Sequence, residues 1–144
     1  MRVGVLAVQG DYSKHVDILK RLGQIPHLVR TEVELNQCDG LIIPGGESTT
    51  LTIVMHKHGL WEPLRLFGER RPIFGTCAGL IILSSQTPNH PFEPLGLIDL
   101  TVERNAYGRQ KDSFIDEVAV TWEGRNHSIR SEERRVGKEC RSRW

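Results

Sequence analysis

A chain of 144 residues suits one domain of ordinary size, and its 19 Lys and Arg against 18 Asp and Glu leave a formal charge of +1. Such a balance argues against a general electrostatic attraction to nucleic acid or to an anionic membrane. The apolar runs fall short of the roughly 18 residues of a membrane span, and the three cysteines form no C-x-x-C pair. We therefore expect a cytoplasmic protein without a secretory signal, a membrane span, a disulfide framework or a zinc site.

The first half of the chain alternates short apolar runs with stretches of helical spacing. Strands are predicted at residues 3–8, 25–30, 41–43 and 73–74. Helices are predicted at residues 13–22, 51–58 and 60–67, and a further helix contains the apolar run at residues 80–83. With the two consecutive helices counted as one, the order is β, α, β, β, α, β, α, which is typical of a three-layer α/β fold with a mostly parallel sheet flanked by helices. Sites in such folds lie at the carboxyl ends of strands, so we look for chemistry after Val8, Ile43 and Phe74.

The second half of the chain is less regular. Three prolines within residues 87–94 predict a surface loop, and further strands are predicted at residues 97–102 and 118–122. Residues 131–144 mix basic and acidic side chains with little apolar periodicity, which favours a disordered or non-native tail over an arm that binds nucleic acid. The predicted domain is therefore residues 1–130.

Cys77 is the candidate nucleophile. It follows a predicted strand, precedes a predicted helix and lies in the run Gly-Thr-Cys-Ala-Gly, which is typical of a nucleophile elbow with Cys in place of Ser. The flanking glycines permit a sharp turn, and the start of the helix stabilises a thiolate. The alternative for Cys77 is a small buried cysteine. Cys38 and Cys140 lack such a setting, and we interpret them as structural or incidental.

The run Pro-Gly-Gly-Glu-Ser at residues 44–48 is the second candidate motif. Its glycines expose backbone N–H groups, but the run lacks the Gly-Lys-Ser/Thr ending of a phosphate loop. We predict an oxyanion hole in which the N–H groups of Gly46 and Ala78 converge. The alternative is a plain turn with Ser48 or Thr49 as the helix cap, although that leaves Glu47 unexplained.

Other polar residues are less informative. Arg109, in the polar run at residues 103–110, is either a surface ion-pair partner or a clamp for a substrate carboxylate. His56 and His58 are two residues apart on a predicted helix and point in different directions, and the remaining histidines are scattered. We predict no metal site.

These motifs together resemble the glutaminase subunits of pyridoxal 5'-phosphate synthase, a family of class I type glutamine amidotransferases. The resemblance rests on VLAVQG, LIIPGGESTT, FGTCAGLIIL, LGLIDLTVERNAYGRQ and DSF, in this order between Arg2 and about Val120. It implies a flavodoxin-like fold and hydrolysis of glutamine to glutamate and ammonia without a cofactor. It also implies a partner synthase subunit, in a hetero-oligomer, that uses the ammonia to make the vitamin B6 coenzyme.

The resemblance assigns roles to individual residues. Cys77 matches the nucleophile of the family. The residues that match its glutamine-binding positions are Gly46, Glu47, Ser48 and Arg104, with a weaker match of Ile129 and Arg130 to a further Ile-Arg pair of the pocket.

The sequence departs from the family in one respect. The family completes its triad with a His-Pro-Glu segment near the carboxyl end, whereas the only His-Pro pair here, at His90, is followed by Phe92. We therefore expect a carboxyl-terminally truncated member with an incomplete fold and without steady-state turnover. Two alternatives stay open: a non-catalytic module that docks the synthase, and an amidotransferase subunit of a different synthase.

Overall fold

A computed structural model describes residues 1–104 in full and residues 115–122 and 125–132 by their backbone alone. Its main sheet has four parallel strands in the order β2-β1-β3-β4. These strands are β1 (Val3–Leu6), β2 (His27–Val29), β3 (Gly40–Ile43) and β4 (Ile73–Gly75). The helices are α1 (Tyr12–Arg21), α2 (Glu32–Asn36), α3 (Ser48–Lys57), α4 (Trp61–Gly68) and α5 (Ala78–Leu83). The predicted α/β class with a mostly parallel sheet is confirmed.

Helix α2 was not predicted, and the prediction of two strands in direct succession is wrong. The local signal is a capping box, in which the Thr31 side chain accepts from the Glu34 N–H and the Glu34 side chain accepts from the Thr31 N–H. This pair satisfies two backbone donors that the first turn of a helix leaves open. A helix of only one and a half turns has little periodicity to detect, so the cap is its main sequence signal.

The core lies between the main sheet and helices α2, α3, α4 and α5. It is formed by fully buried apolar side chains, among them Leu6, Ile43, Leu51, Met55, Leu64 and Ile82. The prediction that residues 73–74 form a buried strand is correct for the strand and wrong for the burial of Phe74, which is 59% exposed. Within the described residues β4 pairs with β3 alone, so Phe74 lies on the edge strand of this sheet.

Two further strand pairs follow the main sheet. Strands β5 (Ser84–Gln86) and β6 (Ile98–Thr101) pair in parallel, and β7 (Ile115–Trp122) and β8 (Arg125–Glu132) pair antiparallel. The strands predicted at residues 97–102 and 118–122 are confirmed as β6 and β7, whereas β5 and β8 were not predicted.

The first two residues of the predicted tail, 131 and 132, belong to the described part of the chain. Strand β8 ends at Glu132, so residues 131 and 132 of the predicted tail lie in a strand, and residues 133–144 are outside the described part. The domain boundary therefore stays a prediction. In the described residues, none of the helices has the length and apolar character that crossing a membrane requires.

Candidate active site

The loops that follow β1, β3 and β4 meet at the end of the main sheet where these strands have their carboxyl ends. The Asp11 N–H donates to the Gly45 carbonyl over 3.1 Å, and the Thr76 N–H donates to the Ile43 carbonyl over 3.1 Å. Parallel strands place their carboxyl ends at the same edge, which explains why loops distant in sequence come together. This is the edge at which the sequence predicts chemistry.

Glycines make this convergence possible. Gly10 has a φ of +89°, and a Cβ there would lie 2.2 Å from the Gly45 carbonyl oxygen, so a side chain at this position does not fit. A Cβ on Gly45 would lie 3.4 Å from the Cβ of Cys77, which is ordinary van der Waals contact. The two motifs that the sequence singles out therefore lie side by side, with room between them for little more than a Cβ.

Cys77 occupies a strained turn between β4 and α5. It is the one non-glycine residue with a positive φ in the described part of the chain, with φ 49° and ψ −107°. Its thiol is free and exposed, and the residue is the N-cap of α5. The turn is tight because a Cβ on Gly79 would lie 2.3 Å from the Ile43 carbonyl oxygen. This is the geometry of the predicted elbow, in which strain presents a side chain at a strand end.

Backbone donors and a side-chain acceptor lie beside Cys77. Ala78 is the first residue of α5, where a backbone N–H has no acceptor within the helix. Gly46 has a φ of +153°, and a Cβ there would lie 3.1 Å from Gln9 Oε1. That amide oxygen is buried without a hydrogen-bond partner, so it is an unused acceptor next to the Gly-Gly turn. Gln9 is not among the site residues predicted from the sequence.

Glu47 caps helix α3, which corrects the alternative that Ser48 or Thr49 is the cap. Its carboxylate accepts from the Thr49 N–H over 3.2 Å and from the Thr50 N–H over 2.6 Å. Ser48 is instead the first residue of the helix. A carboxylate at this position satisfies open N–H groups and lies at the positive end of the helix dipole.

Arg104 pairs with the same carboxylate. Its Nη2 lies 3.3 Å from Glu47 Oε1, and the Arg104 side chain is only 12% exposed against 45% for Glu47. The Nε of Arg104 is buried without a hydrogen-bond partner. An arginine held in place with an unused donor is suited to bind a further carboxylate.

Two histidines contact the predicted motifs. His90 Nε2 lies 3.2 Å from the hydroxyl of the fully buried Ser48, and His15 Nε2 lies 3.1 Å from the hydroxyl of Thr76, the residue before Cys77. Both belong to the histidines that look scattered in the sequence. His90 is 42 positions from Ser48 and His15 is 61 positions from Thr76, so no local pattern connects either pair.

Six of the predicted site residues lie in this region: Gly46, Glu47, Ser48, Cys77, Ala78 and Arg104. The backbone of Ile129 and Arg130 belongs to β8, opposite Val118 and Glu117, and their side chains are outside the described residues. Arg109 and Cys140 also lie outside them.

Cys38 is a free cysteine like Cys77 but differs from it in burial and surroundings. It is completely buried in the core, and its thiol donates to the Glu34 carbonyl over 3.3 Å. Burial raises the pKa of the Cys38 thiol above its ordinary value. This burial supports the interpretation of Cys38 as a structural residue.

Comparison with known proteins points in the same direction. The model of the SNO glutamine amidotransferase family matches residues 5–127. Pyridoxal 5'-phosphate synthase subunit PdxT of Thermosipho africanus is 49% identical over 121 residues, which cover 83% of this chain and 64% of the relative. The PdxT of Oceanobacillus iheyensis is 51% identical over 115 residues, which cover 78% of this chain and 58% of the relative.

A solved structure agrees with the fold. The crystal structure of a glutamine amidotransferase superposes with a TM-score of 0.75 at 40% identity, and the match covers 90% of this chain and 69% of that one. The chain thus spans somewhat less than two thirds of the length of the two PdxT relatives, with 64% and 58% covered.

Proposed function

The chain belongs to the SNO glutamine amidotransferase family, and from this premise we propose that it binds L-glutamine and that Cys77 attacks the side-chain amide of this substrate. The observation that carries the proposal is the close approach of the Gly-Gly turn to the elbow, where a Cβ on Gly45 would lie 3.4 Å from the Cβ of Cys77. A nucleophile and the backbone donors that would stabilise its oxyanion then share one small volume.

The proposed reaction begins at the exposed thiol. Cys77 Sγ forms a bond to the amide carbon of glutamine, and the carbonyl oxygen becomes an oxyanion that the N–H groups of Gly46 and Ala78 bind. Collapse of this intermediate breaks the C–N bond, and the nitrogen leaves as ammonia after it takes up a proton. Water then hydrolyses the thioester, which releases glutamate and restores the thiol.

The charged ends of glutamine fit the polar residues at the start of α3. We assign the α-carboxylate to Arg104, whose buried Nε has no other partner, and the α-ammonium to the carboxylate of Glu47. Ser48 supplies a hydroxyl beside them. The weaker candidates Ile129 and Arg130 remain proposed members of the pocket on the ground of resemblance.

Turnover of glutamine, unlike its binding, requires proton transfers. A general base must take the thiol proton and then activate water. His15 and His90 are bonded to hydroxyl groups of Thr76 and Ser48, and the 144 residues contain no His-Pro-Glu segment. We therefore propose that this chain by itself binds glutamine with negligible steady-state hydrolysis.

The proposed partner is a synthase subunit that receives the ammonia. The relatives from Thermosipho africanus and Oceanobacillus iheyensis are named subunits of pyridoxal 5'-phosphate synthase, which supports a hetero-oligomer with that synthase over a different one. Cytoplasmic localisation stays a prediction.

The test combines comigration with activity. The chain is mixed with the synthase subunit of a PdxT-containing organism, and glutamate release is compared with that of a chimera in which a family carboxyl end containing His-Pro-Glu replaces the residues after Ile129. We expect comigration of both proteins and turnover by the chimera alone. Comigration with the synthase of another pathway instead overturns the assignment of the partner. Turnover by the chain itself overturns the argument about the base.

A further inference from the structure

His15 bonds to the residue that precedes Cys77, although the two lie on parts of the sheet that are not neighbours. Its Nε2 lies 3.1 Å from the hydroxyl oxygen of Thr76. His15 belongs to α1, which follows β1, whereas Thr76 follows β4. Strand β3 lies between β1 and β4 in the sheet. The hydrogen bond therefore spans the loop after β3, which contains the Gly-Gly turn.

The Gly-Gly turn is held on both sides of this span. A Cβ on Gly45 would lie 3.9 Å from Thr76 Oγ1, on the side of the elbow. The Gly45 carbonyl accepts from the N–H of Asp11, the N-cap of the helix that carries His15. Two consecutive glycines can adopt many backbone conformations, so such a turn needs its surroundings to fix its position. The bond between His15 and Thr76 joins the two supports of the turn to each other.

Thr76 is bonded to three elements of the fold. Its N–H donates to the Ile43 carbonyl of β3 over 3.1 Å, and its carbonyl accepts from the Gly79 N–H of α5 over 2.9 Å. These two bonds use backbone atoms, which every residue except proline supplies. The third bond, to His15, depends on the two side chains and is the one that reaches α1. Loss of His15 thus leaves the elbow attached to β3 and α5 but no longer to α1.

The bond forms with either tautomer of His15. The Thr76 hydroxyl can donate to Nε2, or Nε2–H can donate to the hydroxyl oxygen. A Gln side chain offers an acceptor and donors at its end, whereas a Leu side chain is apolar throughout. Both residues are good helix formers. The variants His15→Gln and His15→Leu therefore separate the hydrogen bond from packing and from the stability of α1.

We propose that His15 is a positioning residue of the glutamine site, which through Thr76 holds the Cys77 elbow and the Gly-Gly turn at a fixed separation. The inference rests on the proposed function, in which the thiol attacks a carbonyl whose oxygen the Gly46 N–H binds. Such an attack is fast only when nucleophile and donor are placed together. His15 therefore affects the rate of reaction at a bound carbonyl.

Two other properties should not depend on His15. The proposed partners of the charged ends of glutamine, Glu47 and Arg104, bond to each other at the start of α3, so affinity for glutamine is retained. The thiol of Cys77 is exposed, so its reaction with a small reagent in solution is retained as well.

The test uses the full chain of 144 residues and a chloromethyl ketone in which CH₂Cl replaces the amide NH₂ of L-glutamine. Cys77 Sγ forms a bond to the chloromethyl carbon, the C–Cl bond breaks, chloride leaves and the thiol proton passes to the buffer. Mass spectrometry gives the rate of modification at saturating reagent and the reagent concentration that gives half of this rate. Iodoacetamide gives the reactivity of the free thiol.

We expect His15→Leu and Thr76→Val each to lower the saturating rate at least about threefold, and the double variant to lose no more than either alone, because the same hydrogen bond is removed in all three. His15→Gln restores the rate to within about twofold of the original value. The half-saturating concentration and the iodoacetamide rate stay within about twofold in every variant. The exposed His58 provides the control His58→Leu, which changes none of these values.

Each other outcome has a defined meaning. An unchanged saturating rate in His15→Leu overturns the inference, as does a rate in His15→Gln as low as that in His15→Leu. A parallel loss of the iodoacetamide rate also overturns it, because the thiol itself is then disturbed. If the chloromethyl ketone does not saturate in the unsubstituted chain, or L-glutamine does not slow its reaction, the proposed function is refuted and the inference with it.

A second measurement tests the hydrogen bond without any reagent. The ring ¹⁵N resonances of His15 are compared between the unsubstituted chain and Thr76→Val. We expect the Nε2 resonance to move, because it loses its partner. An unchanged resonance shows that the contact with Thr76 does not form, and it overturns the inference even where glutamine binds.

Discussion

Glu47 and Arg104 form a salt bridge of 3.3 Å that ties the start of α3 to a residue 57 positions later. The same Glu47 carboxylate accepts the N–H groups of Thr49 and Thr50. One side chain thus stabilises a helix and orients a buried arginine. Its removal should affect stability and ligand binding together.

We predict that Glu47→Ala lowers the free energy of unfolding by about 1 kcal/mol, the usual cost of a lost N-cap, and abolishes protection of Cys77 by L-glutamine. Urea denaturation measures the first effect and alkylation in the presence of glutamine measures the second. The matched control is Glu34→Ala, which removes the N3 carboxylate of the capping box of α2 and should lower stability without changing protection. Full protection in Glu47→Ala contradicts the assignment of Glu47 to the glutamine site.

The tight turn around Gly79 predicts a steric effect. Because a Cβ there would lie 2.3 Å from the Ile43 carbonyl oxygen, Gly79→Ala should destabilise the chain by at least about 2 kcal/mol in urea denaturation. Gly59→Ala provides the comparison, since Gly59 has a φ of +65° with no atom within 4 Å of the added Cβ, and it should cost about 1 kcal/mol. The prediction fails if Gly79→Ala is no more costly than Gly59→Ala.

The three cysteines should differ in their reaction with iodoacetamide. We expect alkylation of Cys77 before Cys38 and Cys140, because the Cys77 thiol is exposed at a helix start while Cys38 is fully buried. Mass spectrometry of peptides after short exposure gives the order. Equal modification of all three residues removes the argument for an activated elbow.

Cys38 also makes stability depend on pH. Its pKa is raised by burial in the folded state, so above the ordinary thiol pKa of about 8.5 the unfolded chain loses this proton while the folded chain keeps it. The resulting stabilisation is complete below that pH and declines as pH rises toward the folded-state value. Urea midpoints should therefore fall more steeply between pH 8 and pH 10 in the unsubstituted chain than in Cys38→Ala. Parallel slopes contradict this prediction.

The sequence predicts the motifs of the site better than the contacts that these motifs make. Cys77 and the Gly-Gly turn are predictable from the sequence. Glycines next to a polar residue at the end of a strand indicate a tight turn, and this signal is local. The cap formed by Glu47 and the contact of His90 with Ser48 were missed, because both depend on where loops and side chains meet in three dimensions. Helix α2 and strand β5 were missed for another reason, since each is too short to show a hydrophobic period.

The exposure of Phe74 is a similar case. An apolar residue in a predicted strand of a parallel sheet is expected to be buried on both faces. Sequence periodicity does not specify which strand forms the edge of a sheet, and β4 is that edge in the described residues. Strand identity was therefore predictable, whereas burial was not.

Protection of Cys77 by L-glutamine is the most direct test of a glutamine site at this residue. The chain is treated with iodoacetamide alone, with L-glutamine and with D-glutamine, and modification of Cys77 is followed by mass spectrometry. We predict at least about fivefold slower modification with millimolar L-glutamine, and little effect of D-glutamine, because the proposed contacts of Arg104 and Glu47 would fix the positions of the carboxylate and ammonium groups. An unchanged rate with L-glutamine, or equal protection by both enantiomers, contradicts a glutamine site at Cys77.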